Sequence, residues 1–122
     1  MRKIPIIIDT DPGCDDALAI VLLEKSGAVE VLATTTVPGN NNLQQVTNNA
    51  RFILDFVKSK SPLYSGAEKP LKRPLAIAEI HGKTGLGKIK VATKVKLNGQ
   101  AVDKIIEIVR KNPKKVSILA IG

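Results

Sequence analysis

Hydrophobic residues come in two textures along this chain: unbroken β-branched runs, and stripes spaced by three and four. Ile4-Pro5-Ile6-Ile7-Ile8 is a continuous run, the pattern of a strand buried on both faces of a parallel sheet. It ends at Asp9-Thr10-Asp11-Pro12-Gly13, which is turn chemistry. Asp15 and Asp16 stand where a helix begins, ahead of Ala17 to Leu23. That helix is apolar nearly all round and is predicted to be buried, with Lys25-Ser26-Gly27 closing it. Val29 to Val37 reads as a second strand, followed by the breaker Pro38-Gly39-Asn40-Asn41-Asn42. Leu43, Val46, Ala50, Ile53, Leu54 and Val57 then keep one helical face, with Pro62 as the stop and Leu63-Tyr64-Ser65 as a short strand. Over 66–99 the pattern weakens. Pro70, Pro74 and the Gly82, Gly85, Gly87 cluster predict a long loop region there. Val102, Ile105, Ile106 and Val109 mark one more amphipathic helix, stopped by Asn112-Pro113, and Val116 to Ile121 reads as a buried strand.

Strands alternating with helices predict an α/β fold, an open, doubly wound, mostly parallel sheet. There is no internal repeat. The sequence finishes on Ala120-Ile121-Gly122, at the carboxyl end of a predicted core strand. Open α/β sheets place their ligand crevice at such ends, so the expectation is a sheet truncated after about four strands, at the edge of its own site.

Composition narrows the function. The 122 residues hold 43% hydrophobic residues, enough for a real core. Phe52, Phe56 and Tyr64 are the whole aromatic complement, which leaves almost nothing for stacking nucleobases in the manner of an RNA-binding surface. The formal net charge is +8, yet the basic residues are scattered and mostly Lys. A solvated surface explains this without nucleic acid, whose phosphates favour Arg. Cys14 is the only cysteine; no intrachain disulfide or cysteine-based zinc site can form. It reads as small apolar filler at a helix start, where a thiolate would also be favoured. The apolar run Ile4–Ile8 is too short for a signal peptide or a membrane span. The expectation is a cytoplasmic protein with no membrane partner.

The chemistry concentrates in one turn. Asp9, Asp11, Asp15 and Asp16 put four carboxylates within eight residues. Two ionised carboxylates about 4 Å apart repel by roughly 4 kcal/mol at an effective dielectric of about 20. Such a cluster must protonate in part, spread into water or bind a cation. Carboxylate oxygens are hard ligands suited to Ca²⁺ or Mg²⁺. Helix capping is the alternative, but a cap needs one carboxylate. The EF-hand order is absent.

Ile8-Asp9-Thr10-Asp11-Pro12-Gly13-Cys14-Asp15-Asp16-Ala17 resembles the Asp-x-Asp-Pro-Gly-x-Asp-Asp-Ala signature of the inosine/uridine-preferring nucleoside hydrolases. Thr34-Thr35-Thr36-Val37-Pro38-Gly39-Asn40 is similar to that family's second strand and Gly-Asn turn, with Asn48-Asn49-Ala50 in the helix after it. Ile80-His81-Gly82-Lys83-Thr84-Gly85-Leu86-Gly87 resembles its His-Gly loop, although Lys83-Thr84 departs from the acidic-then-small pair expected there. The resemblance implies hydrolysis of the N-glycosidic bond of ribonucleosides by a Ca²⁺-bound water, a metal-assisted form of glycoside hydrolysis. By the same resemblance Asp11 is the metal-bound general base, Asp16 a second metal ligand and Asp15 the holder of a ribose hydroxyl. Asn40 orients a carboxylate or water, His81 approaches the nucleoside from its loop, and Asp9 supports the turn.

The resemblance also implies residues absent from this chain: a Pro-Leu-Thr-Asn turn, an Asn-rich ribose clamp with a Glu, and a His-Asp pair. Residues 1–122 therefore read as the N-terminal part of a nucleoside hydrolase domain, with catalysis incomplete and apolar surface left for a homo-oligomer or a complementary C-terminal chain. Two other readings compete. One is a non-catalytic remnant or subunit that binds nucleoside or a partner chain. The other is a haloacid-dehalogenase-like phosphatase, since Asp9-Thr10-Asp11 also follows a first strand; Pro12-Gly13 and Asp15-Asp16 go unexplained by it.

Overall fold

The computed structural model describes residues 2–122. The elements are β1 (Ile4–Thr10), α1 (Cys14–Ser26), β2 (Val29–Thr36), α2 (Leu43–Phe56), β3 (Leu63–Ser65), α3 (Ala101–Lys111) and β4 (Ser117–Ala120). The four strands form one sheet in the order β3-β2-β1-β4, and every pairing is parallel. The path steps outward from β1 to β2 to β3, then returns past β1 to β4. Right-handed crossovers therefore put α1 and α2 on one face and α3 on the other, the doubly wound arrangement. Between Ser65 and Ala101 there is no helix or strand.

The continuous isoleucine run does what its pattern predicts. Ile6, Ile7 and Ile8 are all buried: β1 has strands on both sides, and residues of α1 and α2 pack on Ile6 and Ile8. One core cluster gathers Ile6 and Ile8 of β1, Ile20 of α1, Ile53 and Leu54 of α2, and Leu86 of the long segment. A register shift between Ile6 and Ile7 against β2 leaves Asp9 and Thr10 level with Thr35 and Thr36 at the carboxyl end. The stripe of α2 is buried as its spacing requires, from Leu43 through Val57. Asn42 caps this helix, its side chain accepting the Gln45 N–H at 2.9 Å. The helix ends at Phe56, ahead of Pro62, as the chain passes into a left-handed residue at Lys58. Gly27 adopts φ 70° after α1, a backbone conformation in which an L side chain is strained.

Two expectations of burial are corrected, those for α1 and for the last strand. α1 buries only Asp16 and Ile20, while Leu18 and Leu22 are 73% and 70% exposed; one side of the helix meets the sheet and α2, and nothing among the described residues covers the other. The stripe of α3 is also half open, with Val102, Ile106 and Val109 exposed, and Ala101 is its one buried residue. The last strand is not buried either. β4 borders the sheet with β1 on one side only, and Ile118 is 49% exposed.

Candidate functional site

The acidic turn leaves the carboxyl end of β1, between β2 on one side and β4 on the other. This is where the strand order reverses and where open α/β sheets bind ligands. Asp11 and Asp16 are buried there, whereas Asp15 is exposed. Asp16 sits in the first turn of α1 with both oxygens engaged. Its Oδ1 accepts the Thr10 hydroxyl at 2.8 Å, and its Oδ2 accepts the Gly13 N–H at 3.2 Å and an Asn40 amide hydrogen at 3.2 Å. The bond to Gly13, the N-cap of α1, means that Asp16 also does capping work.

Asn40 binds the turn together. Its backbone N–H donates to Asp11 Oδ2 at 2.8 Å, and its side-chain Nδ2 donates to the Asp11 carbonyl at 2.8 Å as well as to Asp16. A Cβ at Gly39 would overlap the Asp11 carboxylate, so only glycine leaves room for this approach. Burial is the largest influence on Asp11 and pushes its carboxyl up from the ordinary carboxylate range. The Asn40 N–H pulls the other way, and the charges of Asp16 and Asp15 push up again.

His81 arrives on the long segment and lies half-buried with Nε2 3.6 Å from Asp15 Oδ1. A Cβ on Gly13 would come within 2.6 Å of Asn40 Nδ2 and 2.9 Å of the His81 ring, so the ring packs directly on the turn. Asp9 points elsewhere: its Oδ1 accepts the Thr35 hydroxyl at 2.6 Å. That bond ties β1 to β2 immediately below the turn. The structure thus brings Asp11, Asp15, Asp16, Asn40 and His81 together and leaves Asp9 as a tie beneath them.

Sequence reasoning did not single out Thr10, Thr35 or Asn49 as part of the site. Thr10 and Thr35 are buried hydroxyls on strand ends, each holding one of the aspartates. The available signal was their alignment with the Asp residues at the ends of two adjacent buried strands. Cys14, read as apolar filler, is exposed and its thiol faces the Gly85 carbonyl at 3.8 Å.

The donor set suits a hard cation in kind. No donor among the described residues reaches Asp11 Oδ1, so its lone pairs remain open, and Asp16 Oδ1 has accepted one hydrogen bond. It is short in number. Among the described residues no three His, Cys, Asp or Glu side chains stand close enough to hold a metal together, against the roughly six to eight oxygens that Ca²⁺ takes. Beside the turn, a cavity of about 410 Å³ is lined by Asn40, Asn41, Ile77, Ala78, Gly82 and Lys83, among others. A separate groove of about 380 Å³ between α1 and α2 is lined by apolar side chains, including Leu18, Val21, Phe52 and Phe56. Cys14 is its one titratable residue, so the chemistry belongs to the polar site.

Residues 6–122 match the profile of the inosine-uridine preferring nucleoside hydrolases. The chain belongs to that family. An inosine-uridine preferring nucleoside hydrolase of Leishmania major is 42% identical over 96% of this chain, which corresponds to 39% of the relative. A plant nucleoside hydrolase structure superposes with a TM-score of 0.90 at 35% identity, covering 99% of this chain and 40% of that one. A purine-preferring ribonucleoside hydrolase from Gardnerella vaginalis gives a TM-score of 0.85 at 29% identity over 97% of this chain and 40% of its own. The chain thus spans about 40% of the length of the nucleoside hydrolases it resembles. Among the described residues no helix is long and apolar enough to cross a membrane.

Proposed function

We propose that this chain carries the metal- and ribose-binding part of a site that hydrolyses the N-glycosidic bond of ribonucleosides. The observation that carries the reading is the convergence of Asp11, Asp16 and Asn40 at the strand-order reversal, with one Asp11 oxygen fixed by Asn40 and the other open. Asp11 and Asp16 would hold a Ca²⁺ ion, which supplies Lewis-acid activation of water and orientation of a sugar diol. In this reading Asp11 is the general base: fixed through Oδ2, it receives a proton from the attacking water as the water oxygen bonds to C1′ and the bond from C1′ to the base breaks. Asp15, exposed beside His81, accepts a hydrogen bond from a ribose hydroxyl, and His81 faces the nucleoside. Asn40 keeps Asp11 from turning, and Asp9 holds the strand ends through Thr35. The setting is cytoplasmic, with a ribonucleoside as substrate and a second copy or a complementary chain as partner.

Two carboxylates leave most of the roughly six to eight ligand positions of Ca²⁺ to water, so the isolated chain is expected to bind Ca²⁺ weakly and to release ribose from inosine or uridine slowly at best. The test titrates Ca²⁺ and then ribose into labelled protein while following the amides of Asp11 to Asp16. Shifts that require Ca²⁺ and vanish in Asp11→Ala and Asp16→Ala are expected; silence of the turn towards Ca²⁺ and ribose rejects the reading. A reducing-sugar assay on the same sample separates an active chain from a binding remnant. Turnover equal to that of a full-length family enzyme would contradict the incomplete donor set.

A further inference from the structure

Asn49 is fully buried in the middle of α2, an unusual place for an amide with no ligand to bind. An amide NH₂ carries two hydrogens, and here each goes to a different segment of backbone. One is donated to the Pro12 carbonyl in the acidic turn at 3.1 Å, the other to the Thr84 carbonyl in the His81 segment at 2.6 Å. The oxygen of the same amide accepts Gln45 Nε2 at 2.9 Å, which fixes which end of the group faces the carbonyls. We propose that Asn49 is a positioning residue: a clamp that holds the His81 segment in register on the acidic turn.

The packing around it points the same way. Gly85 has φ 86°, and a Cβ there would lie 3.3 Å from Asn49 Nδ2 and 3.4 Å from the Pro12 carbonyl oxygen. On the other side of the same contact the His81 ring rests on Gly13. The Gly87 N–H returns to the His81 carbonyl at 2.9 Å, so the residues from His81 to Gly87 form a closed loop whose one side-chain bond to the interior of α2 runs from Asn49 to Thr84. A second anchor, Asn41 Nδ2 to the Lys83 carbonyl at 2.8 Å, is exposed to solvent and competes with water. With no helix or strand in the segment, ladder hydrogen bonds cannot set the position of His81; Leu86 anchors the loop in the core, and the Asn49 clamp fixes its register on the acidic turn. The neighbouring Asn48 differs in a useful way. Its oxygen accepts the Val95 N–H at 2.9 Å, anchoring the same long segment at a point away from the acidic turn.

The consequence for catalysis rests on the function proposed above; the clamp itself does not. His81 is the only histidine, so its ring protons give a single NMR reporter that needs neither turnover nor metal. In Ca²⁺-free protein, Asn49→Ala is expected to move that signal toward the position of free histidine. The amides of residues 81–87 should exchange with solvent at least about tenfold faster, as expected when a local opening loses its restraint. Asn48→Ala is expected to lower the melting temperature comparably while leaving the His81 signal in place. An unmoved His81 signal in Asn49→Ala, or equal movement in Asn48→Ala, overturns the clamp. Should Asn49→Ala fail to fold, Gln45→Ala loosens the amide from its half-buried end. Faster exchange of the same loop amides is then expected, and unchanged exchange overturns the proposal. Adding Ca²⁺ and ribose to wild type afterwards addresses the functional reading separately, since a turn silent to both leaves the Asn49 comparison intact.

Discussion

Asp11 is the residue at which stability and the proposed function oppose each other. Its carboxyl is raised by burial and by Asp16 and Asp15, so the folded chain holds this proton more tightly than the unfolded chain does. The favourable contribution is therefore fully present below the ordinary carboxylate value of 3.8 and is lost as pH rises through the raised value. Above that, the metal-free site keeps a buried charge that the fold would be better without. Asp11→Asn is expected to melt higher than wild type at neutral pH in chelator, and to lose the advantage as the pH falls below the ordinary carboxylate range. Melting curves across pH check this, and an Asn variant no more stable at neutral pH contradicts it. Gly39→Ala tests the same residue sterically. Its Cβ would displace the Asp11 carboxylate from the Asn40 N–H, an overpacking cost of roughly 1–3 kcal/mol. Loss of the Ca²⁺ response of the turn amides should accompany the lower melting temperature.

At the scale of elements, the sheet carries the site on a layer of paired hydroxyls beneath it. Thr34 pairs with Ser61, Thr36 with Thr47, and Thr35 with Asp9, all at the carboxyl half of β2. Thr35→Val would strand the Asp9 carboxylate in a half-buried place, at a cost of about 1–3 kcal/mol, with Val filling nearly the same space. Leu54, fully buried where α2 meets the core cluster, should cost about 2–5 kcal/mol when truncated to Ala. Denaturant unfolding of both variants orders them, and a Leu54→Ala loss below that of Thr35→Val would contradict the packing described. α3 is held differently. Lys111 and Lys104 hold the Glu107 carboxyl down to about 2, and the Lys104 ammonium lies 5.7 Å over the Tyr64 ring. Because Glu107 is lowered, what its pairs contribute is present above the ordinary Glu value and is lost as pH falls through about 2. These pairs face solvent, so they are weak and sensitive to salt.

Across the whole molecule, apolar surface remains uncovered on α1, at the end of α2, on α3 and along the β4 edge, at Leu18, Leu22, Phe56, Val102, Ile106 and Ile118. Patches of this kind favour association. Sedimentation across concentration is expected to show self-association, or binding to a chain bearing the rest of a nucleoside hydrolase; a monodisperse monomer at all concentrations contradicts it. Much of the fold was legible in the sequence, and so were the candidate residues Asp11, Asp15, Asp16, Asn40 and His81 that the structure brings together, but not Thr10, Thr35 or Asn49. Ile4 to Ile8 specify a doubly covered strand, the spacing from Leu43 to Val57 specifies a helix, and four aspartates in one turn announce a place where charge must be managed. These are local matters, set by period and by electrostatics between near neighbours. What only the tertiary structure decided is which groups those residues meet. The pairing of β1 with β2 sends Asp9 to Thr35, the turn at Gly39 brings Asn40 onto Asp11, and Asn49 reaches Pro12 and Thr84 at once. Periodicity could not show that α1 has an open side or that β4 lies at an edge, because burial depends on what packs against an element, and that is a property of the assembled sheet.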